Sequence, residues 1–348
     1  MLKEIRFQNF RCFKDLKIEG LQRFNIFGGK NNVGKTSLLE GLSLVLNPTD
    51  PSHIINLNYF RNYQFEISQA RNLWDNMFNQ KDEQIVFHII DIDSLKLLIS
   101  TEEPKTKSKP IKLTEEFLSK TGADQAVLKY VYELNNEVVD SCVAEIKDGA
   151  ILTQGASTKN FRRFPSHFFP STLKKRPKRE SDKFGNIIQQ RKKGKLLEAI
   201  KILDNKIKDL LIISIEGIPI IHVDIGLPYY LPIYFLGEGA VKYLSILVDI
   251  ANLQDGVLLI DEIENGIHYS VYDEFLSNVI SFSDEYNVQI FATTHSRELV
   301  EAAHRVFCKK EGYPFRYYRL SEINGDIVST GYDKDTLEAA LEMDMEVR

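Results

Sequence analysis

Cysteine is scarce in this chain: Cys12, Cys142 and Cys308 are the only three in 348 residues, far apart and odd in number. They form neither a disulfide framework nor a metal-ligand spacing, which excludes a small stapled scaffold and fits a reducing cytoplasm. Long apolar runs are missing as well. No stretch of about eighteen apolar residues is free of charge or proline, so no membrane-spanning helix is expected. The N-terminus alternates charged and apolar residues instead of presenting a signal-peptide core. The greasiest region, Leu210 to Leu236, is interrupted by Glu216, Pro219, Asp224, Pro228 and Pro232. It reads as buried strands separated by turns.

What is present is ordinary globular material, 43% hydrophobic and 27% charged, and the chain is expected to be soluble. Its length suggests about two domains, or one large domain carrying an insertion. The net charge of −5 is uneven. From Lys159 to Lys195 there are thirteen Lys or Arg against two acids, Glu180 and Asp182, so the average conceals a basic segment, residues 159–195.

Three constellations carry chemistry. Phe24-Asn25-Ile26-Phe27 reads as a strand that ends in Gly28-Gly29, and a helical pattern runs through Leu38, Leu39, Leu42, Val45 and Leu46 to a stop at Asn47-Pro48. Between them lies Gly29-Lys30-Asn31-Asn32-Val33-Gly34-Lys35-Thr36, followed by Ser37. Glycines let successive N–H groups turn toward phosphate oxygens, and the helix adds the positive end of its dipole. Lys35 would then reach the β- and γ-phosphates, and Thr36 would offer its hydroxyl to Mg²⁺. The bland alternative is a glycine turn before a helix.

The second constellation is the apolar strand Val257-Leu258-Leu259-Ile260, which closes in Asp261-Glu262. Carboxylates are costly beside an apolar core, so at the carboxyl end of a buried strand they suggest a metal and a general base. Asp261 would hold Mg²⁺ and Glu262 would polarise water. A solvated strand end fits the same residues, since Glu264 follows. The third is Val288-Gln289-Ile290-Phe291-Ala292, ending in Thr293-Thr294-His295-Ser296. There His295 is placed either to hydrogen-bond a γ-phosphate or to cap a helix.

The order and spacing of these segments resemble the ATPase heads of the ABC and SMC superfamily. A nearer resemblance is to the ATP-binding module of the OLD (overcoming lysogenization defect) family and its single-module relatives. It rests on Asn9-Phe10-Arg11, Gly29 to Thr36, Leu236-Gly237-Glu238-Gly239, Ile260 to Gly266, and Ala292 to Ser296. The resemblance implies an α/β fold: an ABC-type P-loop ATPase head with mixed sheet and flanking helices, interrupted by an α-rich or α+β insertion. It also implies a cytoplasmic, Mg²⁺-dependent ATPase in which two subunits sandwich ATP. Gly237, Glu238 and Gly239 would act as the signature segment toward the partner's γ-phosphate, although the serine and glutamine usual in that segment are missing. Arg11 would approach the nucleotide, and Asn265 to His268 would form the loop at the dimer interface. Gln80, in Asn79-Gln80, is placed as a Q-loop residue completing the Mg²⁺ shell; a chance glutamine in a loop is the simpler reading of the same residue.

Expected organisation follows: residues 1–90 the first part of the head, 91–210 the insertion, and 211–348 the second part. In the insertion, Lys174-Lys175-Arg176-Pro177-Lys178-Arg179 and Arg191-Lys192-Lys193 are interleaved with Phe161, Phe164, Phe168, Phe169 and Phe184. Cations neutralising phosphates and rings stacking on bases would make a nucleic-acid surface, while a solvated charge run fits the same pattern. Asp91-Ile92-Asp93 imitates a Toprim acidic pair, but it has no obvious companion glutamate. The 53 residues from Ser296 to Arg348 are fewer than a domain of roughly a hundred residues, so no Toprim nuclease is expected. A guanine-reading Asn-Lys-x-Asp is also lacking, since Asn205-Lys206-Ile207-Lys208 has no aspartate there. Adenine is the expected base. Two functions stay in view: an ATPase working as a homodimer or higher oligomer in nucleic-acid transactions or anti-phage defence, and a slow or non-hydrolysing sensor that regulates a separate effector protein.

Overall fold

A computed structural model describes residues 1–47, 76–80, 84–101, 127–147, 150–154, 164–171 and 176–345. Its backbone divides into two units. The first comprises Met1–Leu21, Asn31–Arg163 and Leu320–Thr330, and the second Gln22–Lys30, Phe164–Arg319 and Gly331–Arg348.

The first unit is built on an antiparallel sheet of short alternating runs, several consecutive ones joined as hairpins. Strands β1 (Glu4–Phe10), β2 (Phe13–Glu19), β4 (Ile85–Ile90), β5 (Ser94–Ser100), β6 (Val127–Leu134), β7 (Glu137–Lys147) and β8 (Ala150–Gln154) are ordered β2-β1-β4-β5-β6-β7-β8. In β1, Ile5 and Phe7 are buried while Arg6 and Gln8 face outward, Arg6 bridging to Asp15 across the β1–β2 pair. Helix α1 (Lys35–Leu46) turns Gly41 toward Phe7 and Phe87, whose rings meet edge-on at 5.0 Å. The Toprim-like Asp91-Ile92-Asp93 is the β4–β5 turn. Asp91 Oδ1 accepts the Asp93 N–H at 2.9 Å, and Ile92 is 94% exposed.

The second unit holds a sheet ordered β16-β15-β3-β14-β13-β9, from β3 (Phe24–Gly28), β9 (Ser166–Phe169), β13 (Val257–Ile260), β14 (Gln289–Thr293), β15 (Phe315–Ile323) and β16 (Asp326–Tyr332). The far ends of β15 and β16, residues 320–330, cluster with the first unit. β9, β13, β14, β3 and β15 are parallel. Parallel strands buried on both faces must be continuous apolar runs, and Val257 to Ile260 is buried throughout. The consequence for function is directional: Gly28, Thr293, Asp261 and Phe169 all leave their strands at one edge. Helices α2 (Pro177–Gln189), α3 (Lys193–Ile200), α4 (Glu238–Asn252), α5 (Tyr272–Tyr286), α6 (Arg297–Cys308) and α7 (Lys334–Glu342) complete the unit. So does a small antiparallel sheet of β10 (Asp209–Ile215), β11 (Ile218–Asp224) and β12 (Leu231–Pro232).

Residues 91–210 do not form one body. β5 to β8 extend the first sheet, whereas β9, α2 and α3 belong to the second unit, because β9 pairs in register with β13 from Ser166↔Val257 to Phe169↔Ile260. The greasy Leu210 to Leu236 stretch is stranded as expected but not uniformly buried, since Phe235 is 74% exposed and Tyr229 61%.

Four of the eight Lys and Arg side chains in the described part of the basic segment have acidic partners. Phe168, Phe169 and Phe184 are core residues rather than stacking surfaces. Lys192 and Lys195 pair with Glu285, Lys193 with Asp209, and Lys183 with buried Asp249, which His167 Nδ1 also approaches at 2.6 Å. Lys174 and Lys175 lie outside the described residues. Burial alone would raise the Asp249 pKa, but His167 and Lys183 outweigh it and bring the group down to about 2. A depressed carboxyl stabilises the fold above its unfolded pKa and loses that contribution as pH falls through its folded one. Lys183→Met is therefore expected to destabilise the protein by about 2 kcal/mol at neutral pH. The gap from wild type should close as pH drops from about 4 toward 2, read by denaturant unfolding.

Candidate phosphate-binding and hydrolytic site

β3 delivers the loop. All five of its residues are buried, and the chain passes from the second unit to the first after Lys30. The loop uses left-handed backbone at Asn32 (φ 65°) and Gly34 (φ 88°). Gly34 is required twice over. It takes a conformation side chains resist, and a Cβ there would fall 2.5 Å from Cys12 Sγ and 2.8 Å from the Phe13 ring. α1 then starts at Lys35 with no side-chain cap and no acidic residue in its first turn. Val33, Lys35 and Ser37 are buried there. A helix start built without its own anion suits a phosphate.

Beside α1, Arg11 sits in the β1–β2 turn with φ 52°, its Nη1 2.5 Å from Oε2 of buried Glu40. The Asn79-Gln80 segment is pinned to the same turn. Asn79 Nδ2 donates to Arg11 O at 2.7 Å, Asn9 Nδ2 donates to Gln80 O at 2.9 Å, and Asn9 Oδ1 accepts the Gln80 N–H. The structure thus brings Arg11, Gln80 and α1 into one neighbourhood, with the exposed Gln80 held by its backbone. Asn9 is the residue whose role sequence reading missed; its positive φ, 55°, leaves no glycine to mark the bend.

The acidic candidates and His295 lie within the second unit. Asp261, 4% exposed, ends β13. Thr293 Oγ1, at the end of β14, donates to Asp261 Oδ1 at 2.6 Å and accepts the Glu262 N–H at 2.8 Å. Glu262 stands at φ 48°, turning the chain sharply so that its half-exposed side chain leaves the sheet edge. Its Oε2 accepts from Asn265 Nδ2 at 2.5 Å, and its Oε1 lies 3.9 Å from His295 Nε2. His295 is fixed in turn by its backbone N–H, which donates to Glu264 Oε1 at 2.6 Å. Asp261, Glu262 and His295 are therefore gathered at the ends of β13 and β14.

Gly237, Glu238 and Gly239 open α4, with Gly237 at φ 98°. Gly239 backs directly onto Gly266 of the loop after Glu262: a Cβ on Gly239 would fall 1.8 Å from Gly266 O. No side chain fits between them. One turn later Lys242, 1% exposed, donates from Nζ to Glu262 O at 2.5 Å and lies 3.5 Å from Asp261 O. Burial pulls its pKa down to about 8 against the fields of Glu264, Glu262, Asp261 and Glu238.

Thr36 in the first unit and Asp261 in the second are each the kind of donor that Mg²⁺ takes rather than a softer metal. A threonine hydroxyl and a strand-end carboxylate are hard oxygen ligands, and among the described residues no group of three or more His, Cys, Asp or Glu forms an all-protein cage. Magnesium commonly takes one or two protein oxygens and completes its shell with water and phosphate.

This fold, with a glycine loop leading from β3 into a helix start and an acid pair closing β13 of the same parallel sheet, is that of a P-loop ATPase head of the ABC/SMC kind. The SmcHead bound to the C-winged helix domain of ScpA matches it at TM-score 0.53 and 14% identity, covering 98% of this chain and 99% of that one. An Smc head domain with an extended coiled coil, bound to the C-terminal domain of ScpA derived from Pyrococcus furiosus, matches at TM-score 0.50 and 10% identity, covering 98% of both chains. The chain belongs to the family described as AAA domain, putative AbiEii toxin, Type IV TA system, matched over residues 24–301. Along its length it is 24% identical over 363 residues to the ATP/GTP phosphatase of Helicobacter pylori, with 97% of each chain covered. Among the described residues no helix is long and apolar enough to cross a membrane.

Thr293→Val keeps the shape but removes both bonds that align Asp261 and Glu262. It is expected to cost about 1 to 3 kcal/mol of stability and to lower nucleotide hydrolysis at least about tenfold, read by unfolding and by phosphate release on the same preparation.

Proposed function

We propose that the protein is a Mg²⁺-dependent ATPase whose heads close as a homodimer, or a higher oligomer, around ATP. The observation that carries this reading is the Asp261–Thr293–Glu262 arrangement, in which one hydroxyl holds the buried, metal-suited Asp261 carboxylate and the backbone N–H of Glu262, whose own carboxylate faces solvent. The full-length similarity to a protein named ATP/GTP phosphatase supports it.

In this reading the N–H groups from Gly29 to Gly34 and the start of α1 bind the phosphates, with Asn31, Asn32 and Val33 shaping the loop. Lys35 carries positive charge to the β- and γ-phosphates. Thr36 and Asp261 are the residues that would hold Mg²⁺, with the Gln80 amide contributing through water. When bound, the ion would offset charge on the phosphates. Glu262 orients the attacking water and takes its proton. His295 donates toward the γ-phosphate, and its 3.9 Å separation from Glu262 lets both address one water. Arg11, tied to Glu40, steadies the nucleotide side of α1. The helix start at Gly237, Glu238 and Gly239 presents N–H groups to the partner subunit's nucleotide.

The biological setting we assign is a cytoplasmic OLD-like module serving nucleic-acid transactions or anti-phage defence; a family description that names a putative AbiEii toxin is in keeping with a defence role. A regulated effector protein suits it better than the described part of the basic segment as reader, because four of that segment's lysines already have acidic partners.

Two variants test the mechanism. Lys35→Ala should abolish both ATP binding and turnover. Glu262→Gln should bind Mg-ATP, turn over at least about a hundredfold more slowly, and accumulate as a dimer by light scattering. A Glu262→Gln protein that stays monomeric in saturating Mg-ATP contradicts the sandwich.

A further inference from the structure

We propose that Lys242 is a positioning residue for hydrolysis, holding the Asp261–Glu262 backbone in the conformation that aims the Glu262 carboxylate. This deepens the ATPase reading and rests on it. Lys242 is an ammonium-bearing side chain 1% exposed that hydrogen-bonds main-chain carbonyls, Glu262 O at 2.5 Å and Asp261 O at 3.5 Å. A buried cation directed at carbonyls gives up its hydration, and a methionine or leucine would fill α4 without that penalty. What the cation secures is local. Glu262 is a non-glycine residue at φ 48°, a conformation that persists only when its surroundings over-determine it.

Three clamps do so. Thr293 Oγ1 holds the Glu262 N–H, Lys242 Nζ holds the Glu262 carbonyl, and Asn265 Nδ2 holds the carboxylate itself. Thr293 and Asn265 belong to the catalytic edge and its loop. Lys242 alone comes from α4, three residues after Gly239 and one turn from the Gly239–Gly266 contact. It therefore ties the helix start that opens with Gly237 to the backbone of the general base. Glu264, whose field acts on Lys242, accepts the His295 N–H through Oε1 and keeps a buried Oε2 without a hydrogen-bond partner, so the cation also balances the acid that fixes His295.

The test is steady-state ATP hydrolysis by the full chain as wild type, Lys242→Met, Lys242→Arg, Glu262→Gln and the Lys242→Met/Glu262→Gln double variant, each checked for folding by thermal unfolding. Lys242→Met is expected to lose about a hundredfold in kcat, the scale of a small misplacement of a catalytic group, with KM for Mg-ATP within about threefold. Lys242→Arg should recover most of that loss, and in the Glu262→Gln background Lys242→Met should add nothing, since it acts through the carboxylate already removed. Wild-type kcat in a folded Lys242→Met, a loss confined to KM, or full additivity in the double variant would overturn the proposal. Should Lys242→Met not fold, Lys242→Gln carries the same comparison. A Glu262→Gln protein as active as wild type removes the hydrolytic reading itself. A Glu262-dependent enzyme indifferent to Lys242→Met removes only the positioning role.

Discussion

A single hydroxyl organises the sheet edge that carries the proposed hydrolytic residues. Thr293 Oγ1 donates to Asp261 and accepts from the Glu262 N–H, so the ends of two adjacent parallel strands are fixed against each other. Without that bridge a buried carboxylate and an unusual φ would stand side by side at the edge of an apolar sheet, each costly. The sheet explains why the bridge forms there. β3, β14 and β13 are parallel neighbours, so the loop-bearing, threonine-bearing and acid-bearing ends emerge at one edge with no side chain having to reach far.

The second constraint is close backbone approach. Gly239 and Gly266 touch main chain to main chain, which sets the start of α4 directly on the loop that follows Glu262. Lys242 completes the attachment from inside. Helix start, loop and Glu262 backbone are thus joined by direct contacts, as the proposed coupling of Gly237–Gly239 to the Glu262 carboxylate requires.

Much of this was legible in the residues. β3, the glycine turn and α1 follow a local pattern of apolar strand, breaker and helical periodicity. β13 and β14 are short apolar runs with polar closures, and the structure has all of them. The turn at Arg11-Cys12 was not legible as such, because Asn9 and Arg11 take positive φ without a glycine to signal it. Nor was the division of residues 91–210 between two units, which depends on β9 pairing with β13 about ninety residues away. The basic segment misleads for a related reason. Charge counts register Lys183, Lys192, Lys193 and Lys195 but not Asp249, Glu285 and Asp209 across the fold. Lys242 was visible only as a member of a helical pattern; its burial against carbonyls has no sequence signal.

The family and the fold establish a P-loop ATPase head; the account adds that this head turns over ATP with magnesium. Phosphate release by the purified wild-type chain, followed against ATP concentration with magnesium and with a chelator, tests that most directly. Saturable release that vanishes with the chelator is the predicted result. ATP binding without release, or release indifferent to the metal, would contradict it.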